Sequence, residues 1–250
     1  MRLFKCKIAA LLHQEGSSCD VEKFTERALV LEHQGADYID MGGAKALLGL
    51  ASVSVQEERE CVLPILRDLK AHLRIPISLE VSHVEVAKEA LLLGVAVICD
   101  LSGFRDPAMR KLAAKARADV CIVHHPEQGA FHKVGIVEDT IDWLDKQVRL
   151  LLHEGVEQSR IIIDPGIGVG KTEQENLEIL RHIQKLRALG FRIAVGIDHK
   201  SLIANTERVL PVLIALNTFL MLSHVDIIRV HDVQAHRDAF NHLYQVALDF

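Results

Sequence analysis

The chain has 250 residues, 49% of them hydrophobic, which is enough apolar material for one large core of the barrel or doubly wound size. Its formal net charge is −5 with both signs well mixed, so there is no basic stripe and nucleic acid is not an expected partner. No stretch approaches the roughly 18 apolar residues of a membrane span, so a membrane is not expected either.

The first apolar run, KIAALL (7–12), reads as a strand and is too short for a signal-peptide core. A helix-period segment follows at 21–35, with apolar positions three and four apart and a glycine stop. The same rhythm then repeats. Strands are predicted at DYIDM (37–41), IPISLE (75–80), VAVICD (95–100), DVCIVH (119–124), RIIID (160–164), RIAVGID (192–198) and DIIRVHD (226–232). Eight strands alternating with helical segments, and no linker between them, predict an α/β fold. A single (β/α)8 TIM barrel domain over residues 1–250 fits better than an open sheet. The segment 209–225 is apolar on every side, as expected of an interface helix or a well-buried barrel helix. Five cysteines, Cys6, Cys19, Cys61, Cys99 and Cys121, are odd in number and unpatterned. They read as buried free thiols in a reducing cytoplasm.

Six of the eight apolar runs end in an acid: Asp40, Glu80, Asp100, Asp164, Asp198 and Asp232. A carboxylate closing a hydrophobic strand needs water, a ligand or a helix to cap. Any one of them has capping as an equal alternative. Together they predict a polar rim at the end of the barrel where active sites lie.

The stretch DPGIGVGKT (164–172) looks at first like a nucleotide loop, but its residues exclude that. A P-loop needs glycine at position 165, which is Pro165. The dinucleotide spacing also fails, because the glycines stand at 166, 168 and 170. No nucleotide cofactor is expected. What remains is a strand-end acid, a proline-fixed turn and three glycines that let backbone approach a flat ligand. A glycine turn without a ligand is the competing reading. Among the fourteen histidines, those of VHHP (123–126) and HDVQAH (231–236) lack metal-ligand spacing, so no structural metal is predicted. His124 is expected to end strand five at the rim.

DPGIGVGKT followed by NLEIL resembles the signature of the dihydropteroate synthase family, and GADYIDMGG, VGIDHKSLI and IRVHDV follow the same family order. The resemblance implies a (β/α)8 barrel that joins a dihydropterin pyrophosphate to p-aminobenzoate or a related amine in folate biosynthesis. Magnesium would help the leaving group, and a homodimer would form through late helices. It further implies that Asp164 accepts the pterin's paired N–H donors. Glu80, Cys99 and Gly196 would line the pterin site, and Lys200 would stand at the pterin's carbonyl edge. Arg229 and His231, two apart on one strand and so on one face, would draw out the pyrophosphate with Lys200 as a third catalytic group. An Arg–Asp structural pair is the competing reading of Arg229.

The chain also departs from the family. Glu80 replaces an aspartate, Cys99 an asparagine, Val169 a phenylalanine, and Asp198 and His199 the usual serine and basic residue. The first loop, LLHQEGSSCD (11–20), lacks the metal-tied asparagine, although His13 lies near its place. The second, AKALLGLASVS (44–54), lacks the arginine and proline used with p-aminobenzoate; Leu47, Leu48 and Leu50 stand there instead. These losses leave room for a pterin-binding paralogue without synthase activity. A pterin-family methyltransferase and an unrelated barrel acting on a sugar phosphate fit the motifs less well.

Overall fold

The computed structural model describes residues 5–12, 20–43, 52–126, 135–197 and 208–248. Eight parallel strands close into a barrel in chain order: β1 (Lys7–Leu12), β2 (Tyr38–Met41), β3 (Ile77–Glu80), β4 (Val97–Asp100), β5 (Asp119–Val123), β6 (Ile161–Asp164), β7 (Arg192–Gly196) and β8 (Ile227–Val230). β8 returns to pair with β1, Ala9 standing opposite Arg229. The predicted runs match these strands to within about two residues at each end. Eight α-helices lie among the described residues: α1 (Val21–His33), α2 (Val55–His72), α3 (Val84–Leu92), α4 (Pro107–Lys115), α5 (Ile136–His153), α6 (Glu173–Arg181), α7 (Val209–Leu222) and α8 (Val233–Leu248).

Strand alternation sorts the core into two layers. Ile8, Ala10, Ile39, Ile98, Ile122, Ile163, Val195 and Ile228 face outward and pack beneath the helices. The opposite parity, Ala9, Tyr38, Val97, Cys99, Cys121, Ile162, Ala194 and Ile227, fills the barrel interior. Several of those interior residues are small. That leaves a lumen into which a long side chain fits, and Arg229 of β8 occupies it.

The same parity explains what the strand-end acids do. Asp40, Glu80 and Asp164 share the inward parity and line the cavity at the mouth. Asp100 shares parity with outward-facing Ile98 and ties its own turn: it accepts from Ser102 N at 2.7 Å, Ser102 Oγ at 2.8 Å and Phe104 N at 3.0 Å. Asp232 accepts from Ala235 N at 2.9 Å in the first turn of α8. The rim expectation therefore holds for three acids, while Asp100 and Asp232 serve local turns. Asp198 lies outside the described residues.

The cysteine expectation needs one correction. Cys6, Cys99 and Cys121 are buried and free, but Cys61 on α2 is disulfide-bonded. Pairing depends on which side chains meet in space, and sequence spacing carries no sign of that.

Candidate active site at the barrel mouth

Arg229 organises the site. Its side chain leaves β8 and crosses the lumen to the far wall, which is built by β4 and β5. Nε donates to Asp40 Oδ2 at 2.7 Å from β2. Nη1 donates to Asp164 Oδ2 on β6. Nη2 reaches Cys121 Sγ at 3.2 Å and Cys99 Sγ at 3.6 Å. Gly196 on β7 gives the side chain room, since a Cβ there would stand 3.2 Å from Arg229 Cβ. Burial alone would pull the guanidinium's pKa down, but Asp40, Cys121 and Asp164 outweigh it and hold the group well above its ordinary value. It stays charged, with two carboxylates around it. An arginine without them would leave an uncompensated charge in the core, at a cost of roughly 3–5 kcal/mol.

Asp164 closes β6 and is 4% exposed. Its Oδ1 accepts from Gly166 N at 2.7 Å while Oδ2 meets Arg229. Burial pushes its pKa up, against the pull of Arg229 and the Gly166 N–H. Both oxygens keep lone pairs for a further donor. The glycine loop is shaped around this carboxylate. Gly166 has φ +65° and so lies in the left-handed region, and a Cβ there would fall 2.1 Å from the His124 carbonyl oxygen. Lys171 staples the loop from inside: its Nζ donates to Gly166 O at 2.8 Å, His124 O at 3.1 Å and Val169 O at 3.2 Å. Burial lowers the Lys171 pKa to about 8. Thr172 and Glu175 then form a capping box that starts α6, and Asn176 of that helix accepts from Gly168 N at 2.9 Å.

Above Arg229 opens a cavity of about 300 Å³. That is the lower end of the range of roughly 300–1,000 Å³ for small-molecule pockets. Asp164, Glu80, Cys99, Gly196, Arg229 and His231 all line it, together with Asp40 and Val169. Of the site residues expected from the sequence, only Lys200 lies outside the described residues, as do His13, Leu47, Leu48, Leu50 and His199. His231 lies just past the end of β8 and is exposed at the mouth, whereas Arg229 on the strand is sunk in the floor, so the two stand at different depths. Two residues of the floor, Asp40 and Cys121, are not among the expected pterin or phosphate contacts. Asp40 is recognisable in hindsight, since it stands one residue before the end of β2 on the inward parity, two residues after Tyr38. The contact of Cys121 with Arg229 spans 108 residues and leaves no local trace.

His124 follows β5 as expected, but it turns into packing at 3% exposure, with its ring 5.1 Å from that of Trp143 and edge-on to it. Among the described residues no three His, Cys, Asp or Glu side chains converge on a metal position. Asp40 and Asp164 are committed to Arg229. Among the described residues, no set of side chains fits a magnesium ion.

A closed parallel barrel with a buried, arginine-braced carboxylate beneath a mouth cavity is the frame of a small-molecule enzyme site. The model of the pterin binding enzyme family matches residues 12–231, and the chain belongs to that family. A dihydropteroate synthase of Clostridium beijerinckii is 32% identical over 230 residues, covering 87% of this chain and 85% of the relative. The dihydropteroate synthase structure from Thermus thermophilus in complex with 6HMPPP is 32% identical with a TM-score of 0.83, covering 96% of this chain and 94% of that one. The Xanthomonas albilineans enzyme in complex with 7,8-dihydropteroate is 27% identical with a TM-score of 0.87, covering 99% and 95%.

Proposed function

We propose that this chain is a dihydropteroate synthase-type transferase, joining a dihydropterin pyrophosphate to p-aminobenzoate or a related arylamine with release of pyrophosphate. The observation that carries this reading is the floor of the cavity, where one guanidinium is shared between two carboxylates. Asp40 and Asp164 offer four acceptor oxygens to one guanidinium, so acceptor capacity is left over. Such a floor favours a heterocycle presenting N–H donors.

In this reading the pterin lies flat in the cavity, its 2-amino and ring N–H groups donating to Asp164. Arg229 fixes the rotamer of Asp164 and pulls against the rise that burial imposes on its pKa. Glu80, Cys99 and Gly196 form the walls, and Lys200 meets the carbonyl edge. The methylene then points to the rim, where the pyrophosphate leaves past His231. Arg229 serves the departure indirectly: its Nε and Nη1 are held by Asp40 and Asp164, and it keeps the pterin's anchor in place while the pyrophosphate leaves. The amine attacks the methylene as the carbon–oxygen bond to pyrophosphate breaks, and the proton it sheds passes to solvent at the open mouth. Holding the methylene in place makes the attack effectively unimolecular.

The reading extends to a homodimer through α7 and α8, supported by Phe219 and Leu222, each 46% exposed on a helix with little polar surface. No helix among the described residues is long and apolar enough to cross a membrane. Cytoplasmic placement follows from the reaction assigned, and it draws no support from Cys61, which is disulfide-bonded.

A pterin-binding paralogue without turnover is the second reading, favoured by the missing arginine and proline at 44–54. One assay separates the two. Dihydropterin pyrophosphate, p-aminobenzoate and magnesium are mixed with the protein, and pyrophosphate is measured. Release that depends on the amine supports the synthase; tight pterin binding with no release above background replaces it with the paralogue.

A further inference from the structure

Cys99 walls the pterin site and Cys121 lies behind it against Arg229; neither sulfur does chemistry in the reaction just described, yet they are placed as a pair. They stand directly opposite each other in the parallel register of β4 and β5. Neighbouring strands run roughly 4.7–4.9 Å apart, which is inside the usual disulfide Cα separation of about 4.4–6.8 Å. Both side chains point into a closed barrel, where inward-facing groups converge. Both sulfurs also lie against a single nitrogen, Arg229 Nη2, at 3.6 and 3.2 Å. Ser78 Oγ approaches Cys99 Sγ at 3.5 Å from the other side. Both are free thiols, and Cys99 lines the mouth cavity with Cys121 directly beside it, which gives a small oxidant a path to the pair.

We infer that Cys99 and Cys121 form an oxidisable dithiol under the ligand cavity, closed to an intramolecular disulfide by a peroxide oxidant. The step balances as two thiols and one hydrogen peroxide giving one disulfide and two waters. The Cys121 sulfur, deprotonated, takes a hydroxyl from the peroxide as the O–O bond breaks, and the hydroxide released picks up the proton that thiol shed to become the first water. The Cys99 sulfur then displaces the hydroxyl from Cys121, and its own proton leaves with that hydroxyl as the second water. The pairing favours the first stage: the hydrogen bond with Cys99, followed by the guanidinium, moves Cys121 toward its thiolate against the opposing effect of burial, while Cys121 and burial hold Cys99 as a thiol.

Closure draws both sulfurs together and away from Arg229 Nη2. The guanidinium loses two acceptors and the cavity floor loses a polar contact, so a ligand resting on that floor binds more weakly. This last consequence rests on the pterin reading above; the disulfide itself does not.

The test is peroxide treatment of the intact chain, alkylation of remaining thiols, and peptide mapping. Arg105 and Arg117 separate the two cysteines, so tryptic peptides report the link directly. The expected result is a linked Cys99–Cys121 pair, reversed by dithiothreitol and absent from Cys121→Ser. In parallel, affinity for a dihydropterin is expected to fall at least tenfold on oxidation and return on reduction. Both thiols remaining alkylatable, or either sulfur passing to sulfinic acid with no link formed, overturns the inference. A link that forms with pterin affinity unchanged overturns its control of the site. If the reduced chain binds no pterin at all, the functional reading fails and the linked peptide alone decides the dithiol.

Discussion

Arg229 shows how one residue can serve fold and function together. Its sequence context, two positions before His231, suggests a phosphate clamp, with a structural ion pair as the alternative. The side chain forms that pair twice over, with Asp40 and Asp164, and in doing so aims the Asp164 carboxylate at the cavity. Lys171 is the residue with a distinct pH signature. Its folded pKa is about 8, below the ordinary lysine value of 10.5, because burial penalises the ammonium. Between those two values the unfolded chain therefore holds more protons than the folded one. Stability contributed by this group rises as pH increases through that window and is flat below it. Urea denaturation of the wild type and of Lys171→Met at pH 7 and pH 9.5 checks this. The advantage of the wild type is expected to grow at the higher pH by about 1–2 kcal/mol. An advantage that shrinks would show that Lys171 is not buried as an ammonium.

At the scale of elements, much is legible because βα units write themselves as apolar runs, helix periods and glycine stops. The 37–41 and 226–232 runs fall on β2 and β8, and the helix of 21–35 ends as its glycine stop implies, at His33 before Gly35. Strand ends are harder, since an acid after an apolar run looks the same on either parity. Asp100 and Asp164 illustrate the difference: parity turns one to its own turn and the other to the cavity. The contacts made by Arg229 are not legible, because they join four other strands across the barrel and each spans more than 60 residues. The glycine loop is readable in kind but not in cause. Its left-handed turn at Gly166 is required by the His124 carbonyl, which comes from the neighbouring strand end. Gly166→Ala is accordingly expected to cost about 1–3 kcal/mol in chemical denaturation and to weaken pterin binding, because the N–H held by Asp164 moves. Unchanged stability would mean that the loop is not pinned there.

At the scale of the whole molecule, the barrel converts local alternation into a site. Inward residues from eight strands meet at one end, so a carboxylate on β6, another on β2 and a guanidinium from β8 become neighbours without any local signal. The outer surface poses a separate question. Phe219 and Leu222 keep α7 apolar on its outer side, which a homodimer would cover. Sedimentation analysis should return a dimer for the wild type and a monomer for Phe219→Glu; a wild-type monomer at micromolar concentration removes the dimer from the account.

The central claim is that Asp164, braced by Arg229, grips a pterin at the barrel mouth. Calorimetric titration of a dihydropterin into the wild type and into Asp164→Asn tests it most directly. The wild type is expected to bind with one site, and the variant to lose at least a hundredfold in affinity, about 2.7 kcal/mol, while remaining folded by circular dichroism. Equal binding by the two proteins would contradict it.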